Sequence, residues 1–533
     1  MATPLAVGVA AKEAGMIVAA LAVAGAFFVP SARGRAVCVL VALVLTPVLL
    51  VGELWDSSQF VSIRDHPAPA VGAAVLGVAV MGALAAVFLR RPEAFPLLAV
   101  FTLPFRIPVE AGGQTANLLV PLYAVVGGAA IAYAWERLRG SNGGWNGQAR
   151  RPFCPDERPP GTLEAVLIGA VVLYTLQAAY STDFETALKN VVFFYVPFAL
   201  LFRFLTSLEW NERVVRRAFG VALLLALVFV SIGFWEYATR HLLWNPKVIA
   251  SNEFESYFRV NSLFFDPSIY GRFLALVMIG LATVLLWARR TRNVWVVTGL
   301  LAFLWAGLVL TFSQSSFVAL LVGLAVLAAL RWRARPVVAT VAAAAIVAAI
   351  VVVAVPSAVN LDVGSSRSVS QASSGRFDLI GGGLRMFADR PVWGFGSGSF
   401  SKEFRQREKV SSQRAASASH TIPLTYAAEQ GVVGFAAYVA VLWAAFRLLF
   451  RSLSGPLRGR EPPGDKALAR AAIAAAFAAL VVHTLLYASF LEDPITWTLL
   501  GAGLALQRRP RRVRTGAAAA TASEQVPAEP AAG

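Results

Sequence analysis

The sequence predicts an all-α polytopic membrane protein with roughly 12 to 15 transmembrane helices and a long extracytoplasmic loop containing amphipathic helices. Three observations indicate this class. Of the 533 residues, 57% are hydrophobic and only 14% are charged, whereas soluble domains carry about 25% charged residues. The mean hydropathy is +0.65. The apolar runs are continuous rather than alternating, which favours helices over a barrel, because lipid tolerates only these two structures.

Apolar runs of helical length recur along the whole chain, and about 20 apolar residues suffice to cross a bilayer. The predicted helices are 15–31, 36–54, 70–89, 94–104, 116–135, 162–180, 187–206, 218–237, 268–288, 294–312, 315–330, 336–356, 430–449, 467–490 and 494–507. The run 94–104 is too short to cross comfortably, so we expect it to be re-entrant, and 494–507 is also short.

Basic residues predict the orientation, because arginine and lysine concentrate in cytoplasmic loops. Clusters of arginine alternate with the predicted spans, which leaves 55–69, 105–115, 238–267, 357–429 and 489–493 facing outward and the C-terminus inside. Only Lys12 precedes the first apolar run, without a convincing cleavage site, so we expect a retained span rather than a signal peptide.

The chain divides into four predicted segments. They are the N-terminal transmembrane helices 1–254, a core 255–450 that includes the outer loop 357–429, the C-terminal helices 451–507, and a basic, then disordered, cytoplasmic tail 508–533. Residues 357–419 contain nine basic and five acidic residues. This excess suits an anionic ligand such as a phosphate or an acidic glycan, or equally a solvated loop near anionic headgroups.

Several common chemistries leave no trace in the sequence. There is no phosphate-binding G-x-x-x-x-G-K-[ST], no dinucleotide fingerprint and no H-E-x-x-H. The four histidines (His66, His241, His420 and His483) are scattered, which argues against a histidine metal site. We therefore expect no cofactor, no tightly held metal and no nucleic-acid partner, so the energy must come with the substrate or from an ion gradient.

The segment 259–272 combines a helix start with two arginines. Asp266 and Pro267 suit the N-cap and N1 positions, and an outward helix N-terminus is an anion site. Arg259 lies a few residues ahead of this start, and Arg272 falls one turn inside the span. An arginine at that depth either faces a polar cavity or snorkels to the interface.

Two further polar segments lie between apolar runs. Ser313, Gln314, Ser315 and Ser316 predict a tight outward turn with capping serines. In the outer loop, apolar residues recur at helical spacing at Phe377, Ile380, Leu384 and Phe387. This spacing predicts an amphipathic helix that begins near Arg376 and lies on the outer membrane surface. We expect Gly394, Gly396 and Gly398 to form a plain turn.

A histidine ends the basic outer loop. His420 precedes a span whose mouth carries Glu429, Gly431 and Gly434. An imidazole titrates near neutrality, which suits general acid–base catalysis, although an interfacial histidine without chemistry is the plainer interpretation. His483 lies within an apolar run, so we expect a hydrogen-bonded packing residue.

Taken in order, these motifs resemble the O-antigen ligase/polymerase superfamily of polytopic membrane glycosyltransferases over roughly 255–450. The matching residues are Ser313, Arg376, Asp389, Pro391, Gly394, Gly396, His420, Glu429, Gly431 and Gly434. The segment Arg259–Gly271 is similar to the family's upstream arginine element. Two positions depart from the pattern: Gln314 stands where the family often has arginine, and Thr421 where it usually has asparagine.

The resemblance implies a glycan transfer at the outer face of the bacterial cytoplasmic (inner) membrane. The donor would be a polyprenyl-diphosphate-linked glycan, the acceptor a hydroxyl of a glycan, lipid or protein, and membrane lipids would surround the enzyme. Arg376 and Arg259 would clamp the diphosphate with help from Arg272. His420 would orient or deprotonate the acceptor hydroxyl, and Glu429 would set its tautomer. Further contacts would come from Asp266, Ser313 and Gln314.

Two alternatives stay open. Within the family, nothing in the sequence separates a polymerase from a ligase. From another class, a secondary transporter or lipid-linked glycan flippase would also need many spans and buried charges, for which Lys189 and Arg272 are the candidates.

Overall fold

The computed structural model describes residues 8–54, 67–111, 114–139, 159–243, 248–249, 252, 258–332, 334–337, 339, 376–408, 421–459, 463–487 and 489–508. Over these residues the protein is helical apart from one two-stranded hairpin, so the predicted all-helical class is confirmed. Most of the predicted run 336–356, together with His420, lies outside the described residues.

The elements in chain order are α1 (Val9–Phe28), α2 (Ala32–Leu54), α3 (Pro67–Arg90), α4 (Ala94–Thr102), β1 (Ile107–Ala111), β2 (Gln114–Leu118), α5 (Val120–Arg139), α6 (Thr162–Ala178), α7 (Phe184–Asn190), a π-helix (Val191–Tyr195), α8 (Val196–Ser207), α9 (Glu212–Thr239), α10 (Pro267–Leu286), α11 (Thr291–Val309), α12 (Gln314–Arg331), α13 (Arg376–Asp389), α14 (Phe400–Glu408), α15 (Ile422–Phe450), α16 (Ser454–Arg458), α17 (Asp465–Leu486) and α18 (Pro494–Gln507).

Within the described part of the chain, ten helical segments are long and apolar enough to cross a membrane. They are α1, α2, α3, α9, α10, α11, α12, α15, α17 and the continuous unit from α7 through the π-helix to α8. The protein is therefore a multi-pass membrane protein. The larger span count stays a prediction, and α6 is a shorter apolar helix.

The long helices run in both directions along the bundle, which therefore has two distinct ends. At the end called here the loop end, α10, α12, α15 and α18 begin, α17 finishes, and the segment 376–408 packs. At the opposite end, the last turns of α5, α12 and α15 carry arginines, such as Arg137, Arg331 and Arg447. This alternation agrees with the predicted pattern of basic loops, and the positive-inside rule assigns the arginine-bearing end to the cytoplasm as an expectation.

The apolar helices α4 and α18 are too short to cross. Helix α4 has nine residues and α18 has 14, which at about 1.5 Å per residue rise roughly 14 and 21 Å against a hydrocarbon core of about 30 Å. The chain after α4 enters a hairpin in which Ile107 pairs with Leu118. The predicted helix 116–135 is therefore wrong at its start, because 114–118 is a strand and α5 begins at Val120.

The predicted amphipathic helix exists as α13, but a different face is buried. Leu379 and Met386 pack with Phe395, Phe400 and Phe404, while Leu384 from the predicted stripe is 55% exposed. The glycines explain the difference. Gly382 and Gly383 have no side chain, so Phe404 and Leu424 approach the helix backbone there. Counting only large apolar residues misses such a face.

Candidate active site

A buried ion pair lies one turn below the loop end. Arg272 in α10 and Asp493 ahead of α18 approach to 2.6 Å between Nη2 and Oδ2, and each side chain is 1% exposed. Arg272 therefore does not snorkel. The pair is not aligned as a hydrogen bond, and Nε, Nη1 and Nη2 of Arg272 have no hydrogen-bond acceptor among the described residues. Buried guanidinium donors without acceptors are rare in folded proteins.

The start of α10 is capped as the sequence predicts. Asp266 is the N-cap and Pro267 occupies the first turn, and the Asp266 carboxylate accepts a 2.6 Å hydrogen bond from the Ser268 N–H. The Tyr487 hydroxyl also donates to this carboxylate. Burial raises the pKa of Tyr487 and the Asp266 charge raises it further, so the phenol keeps its proton.

The serine turn is a polar cluster rather than a cap. Ser313 precedes α12 without a side-chain capping bond, and its Oγ lies 3.2 Å from Ser315 Oγ and 2.8 Å from Ser316 Oγ. His483 Nε2 lies 3.2 Å from Ser315 Oγ. His483 is fully buried and hydrogen-bonded, as predicted. Gln314 points away from this cluster and is exposed.

Arg259 lies close to the same helix starts. Its Nε donates to the Thr311 carbonyl at 3.1 Å, and its backbone N–H donates to Asn252 Oδ1 at 3.1 Å. A Cβ on Gly271 would lie 3.0 Å from Thr311 Oγ1 and 2.7 Å from Ser316 Oγ, so α10 packs closely against this turn. Arg259 and Arg272 are therefore brought to the same end of the bundle, with Thr311 between them.

A further arginine, not singled out from the sequence, belongs to this region. Arg106, half-buried between α4 and β1, interacts electrostatically with Asp493, which attracts it, and with Arg272, which repels it. Tyr487 and Tyr123 are its other electrostatic neighbours. Arg106 matches no motif, because it is a lone arginine in a predicted outer segment. The one signal in the sequence is its position just after an apolar run that is too short to cross the membrane.

An apolar crevice of about 280 Å³ lies between α4, α9, α10, α17 and α18. Towards the arginine cluster it is bordered by Leu103, Phe273 and Ile495. Its other end reaches Arg216 and Asp465, which form an exposed ion pair at 3.0 Å. The crevice therefore extends from below the buried charges towards the opposite end of the bundle.

Glu429 fastens the loop segment to α15. Its Oε2 accepts a 2.8 Å hydrogen bond from the Gly398 N–H, and its Oε1 accepts one of 3.0 Å from the Phe400 N–H. The side chain is 7% exposed. Both carboxylate oxygens thus accept hydrogen bonds from the backbone at the start of α14. These bonds give the buried Glu429 side chain its partners among the described residues.

The glycines of this loop allow backbone to touch backbone. Gly394, Gly396 and Gly398 all have positive φ, and a Cβ on each would overlap the backbone of Glu429, Ser181 and Ala187 respectively. Gly431 also has positive φ, and a Cβ there would overlap the Val392 carbonyl. The predicted plain turn is therefore a closely packed joint that holds the loop on α6, α7 and α15.

Most of the basic side chains that the structure describes in the loop have partners. Arg385 pairs with Glu408 at 2.5 Å, and Arg407 pairs with Asp389 and Glu403. Lys402 Nζ donates to the Thr182 carbonyl at 2.6 Å.

Arg376 is the first residue of α13, but its side chain, like all of His420, lies outside the described residues. Their predicted meeting with Arg259 stays a prediction.

Asp493 and its neighbour Glu492 also belong to this region, and neither was predicted from the sequence. Glu492 Oε1 accepts a 2.7 Å hydrogen bond from Tyr195, the last residue of the π-helix. Asp493 caps α18 through the Ile495 N–H at 3.1 Å. The signal was present, because Asp493–Pro494 repeats the Asp266–Pro267 pattern at a second helix start.

Residues 299–439 match the family model described as O-Antigen ligase. The match lies inside the segment 255–450 and includes the serine turn, the loop joint, Glu429 and Gly431. No curated protein matches the chain with significant similarity. This multi-pass membrane protein therefore carries, at residues 299–439, a segment that matches the O-antigen ligase family, and the match supports the predicted O-antigen ligase/polymerase superfamily.

Proposed function

We propose that this protein transfers a glycan from a polyprenyl diphosphate carrier to an acceptor hydroxyl at the outer face of the bacterial cytoplasmic membrane. The observation that carries the proposal is that Arg259 and Arg272 lie at the loop end, against the start of the segment that matches the O-antigen ligase family. The donor brings its own activation, which suits a sequence without nucleotide or metal motifs.

The chemistry is a displacement at the anomeric carbon. The acceptor oxygen forms a bond to that carbon while the bond to the carrier oxygen breaks, and the electron pair leaves with the diphosphate. Negative charge grows on the leaving oxygen, and guanidiniums already in place stabilise it without reorganising. Arg259, Arg272 and Arg376 would do this, and His420 would orient the acceptor hydroxyl or take its proton.

The apolar crevice supports a lipid-linked donor. It begins beside Phe273, the neighbour of Arg272, and its lining is dominated by aliphatic side chains such as Leu276, Val277 and Leu499. A polyprenyl chain has the apolar character that such a lining needs, and its diphosphate would then lie at the arginines.

For Glu429 we propose a positioning role instead of direct contact with substrate. Its two carboxylate oxygens already accept from Gly398 and Phe400. By holding the start of α14 it fixes the loop that carries Arg376 and leads to His420.

A transporter or flippase is the alternative. It would be expected to place its charges at the bilayer midplane between related halves. Among the described residues, Arg272, Asp493 and His483 all lie within two turns of the loop end, and Lys189 pairs with Glu185 at 3.9 Å near the start of α7. This one-sided placement favours a surface reaction.

The experiment is a transfer assay with purified protein in liposomes, a polyprenyl-diphosphate glycan and an acceptor glycan. We expect His420→Ala and Arg376→Ala each to reduce transfer at least about 100-fold. Arg385→Ala is the matched control, because Arg385 lies on the same helix and pairs with Glu408. Undiminished transfer by the His420→Ala, Arg376→Ala double variant would remove the mechanism. Product size separates the two activities, since a ladder of repeats means polymerase and a single addition means ligase.

A further inference from the structure

We propose that Arg106 is a further substrate-binding residue, which contacts a phosphoryl group of the lipid-linked donor together with Arg272. The inference rests on the proposed function and adds a residue that lies outside the matched region 299–439. It assigns a role to the short helix α4, which the transfer mechanism has so far left unused.

The partly buried position of Arg106 favours a charged or polar partner. Arg106 is half-buried between α4 and β1, and Asp493 is its attractive electrostatic neighbour. A guanidinium removed from water is costly unless it pairs with an opposite charge or faces a polar cavity.

Among the described residues, the carboxylates near the two arginines already accept hydrogen bonds from other groups. Arg106 and Arg272 share Asp493 as their attractive neighbour and repel one another. The two nearby carboxylates are engaged elsewhere. Asp266 accepts from Ser268 and Tyr487, and Glu492 accepts from Tyr195 and the Phe490 N–H.

The donors of Arg272 point to an oxygen-rich anion. A guanidinium carries five N–H donors, and among the described residues none of the three Arg272 nitrogens has a hydrogen-bond acceptor. A phosphoryl group offers several oxygens in a geometry that matches guanidinium pairs. It would give Arg272 the acceptors that it lacks and would attract Arg106 as well.

Charge and apolar surface adjoin one another here. The crevice is bordered by Leu103, Phe273 and Ile495, and these lie within three residues of Arg106, Arg272 and Asp493 respectively. The same three elements thus provide the lining and the charges. This arrangement is complementary to an amphiphile with an anionic head group and an apolar chain, and Arg106 would bind the head group.

The test measures binding to the full-length protein in nanodiscs with four probes: a polyprenyl diphosphate, the monophosphate and the free alcohol of the same chain length, and inorganic diphosphate. For the wild type we expect the lipid diphosphate to bind most tightly. Arg106→Gln should weaken that binding about 10- to 100-fold, the effect of losing a hydrogen bond to a charged group, and should leave the alcohol unchanged. Arg292→Gln, an exposed arginine at the opposite end, is the matched control.

Each outcome decides something. Unchanged diphosphate binding by Arg106→Gln, with weakened binding by Arg272→Gln, would overturn the role of Arg106 alone. A wild type that binds alcohol and diphosphate equally would overturn the proposed donor itself. Inorganic diphosphate binding as tightly as the lipid would overturn the link to the crevice. If Arg106→Gln gives no monodisperse protein, Arg106→Lys replaces it, because an ammonium cannot make the two parallel hydrogen bonds of a guanidinium. A lipid diphosphate affinity of Arg106→Lys within about 2-fold of wild type would then contradict the proposal.

Discussion

Arg272 and Asp493 form an ion pair, 2.6 Å apart and 1% exposed, that joins the sixth residue of α10 to the N-cap of α18. Two short motifs that are far apart in the sequence, each an aspartate followed by proline at a helix start, thus meet at the same end of the bundle. The pair fixes where α18 begins relative to α10, and it keeps a cation below the loop end.

Removing one member of this pair should destabilise the fold. We expect Asp493→Asn to lower the free energy of unfolding by about 3 to 5 kcal/mol, because it leaves the Arg272 charge buried without a counterion. Thermal unfolding in detergent measures the change. Asp465→Asn is the matched control, since its pair with Arg216 is exposed and should contribute less than about 1 kcal/mol. Equal stability of the two variants would contradict this account of the pair.

Replacing both members should separate stability from function. Arg272→Met combined with Asp493→Leu removes both charges, so most of the lost stability should return, apart from about 1 kcal/mol for the missing cap. Glycan transfer should stay at least about 100-fold below wild type, because the cation that stabilises the leaving group is gone. Recovery of both stability and transfer would show that Arg272 serves packing alone.

The joint between the loop and α15 should tolerate no side chain at Gly431. Its φ is +65° and ψ is −162°, a region open only to glycine that costs other residues about 1 to 3 kcal/mol. We therefore expect Gly431→Ala to destabilise the protein by about 2 kcal/mol or more, measured by thermal unfolding. Gly381→Ala is the control, because Gly381 is helical and a Cβ there would make only an ordinary 3.5 Å contact with the end of the Arg385 side chain, so alanine should stabilise the helix by up to about 1 kcal/mol. Similar effects of the two variants would disprove the joint.

Glu429→Gln tests whether this residue positions the loop. The amide keeps one acceptor oxygen, so one of the Gly398 and Phe400 N–H groups loses its partner at a cost of about 1 to 3 kcal/mol. Limited proteolysis within 390–408 should accelerate about 5-fold or more, and transfer should fall in parallel. Glu408→Gln, at the exposed pair with Arg385, should change neither. Full protection of the loop with lost transfer would instead give Glu429 a catalytic role.

Local patterns in the sequence predicted much of this site. An aspartate followed by proline predicts a helix start, because the carboxylate accepts from a free N–H of the first turn and proline has no N–H to leave unpaired. The predicted cap at Asp266 is confirmed. The depth of Arg272 follows from its place in an apolar run. The buried state of His483 follows in the same way, and the structure adds its serine partners.

Long-range packing accounts for what could not be predicted. Asp493 is far from Arg272 in sequence, and nothing local pairs them. Gly396 has a positive φ, and Ser181, on another helix connection, occupies the space that a Cβ at Gly396 would fill. The buried face of α13 depends on Phe404 reaching the glycine at 382. The hairpin at 107–118 replaces part of a predicted span, because apolar composition alone does not mark where a strand gives way to a helix.

The central claim is that a lipid diphosphate docks on the arginines at the loop end. The most direct measurement is an electron cryomicroscopy structure of the full-length protein with a bound polyprenyl diphosphate. We expect phosphoryl oxygens within about 3.2 Å of the Arg272 guanidinium, the chain in the crevice beside Phe273, and the His420 imidazole facing the same pocket. Density for the diphosphate at the arginine-bearing opposite end, or a His420 directed away from Arg272, would contradict the account.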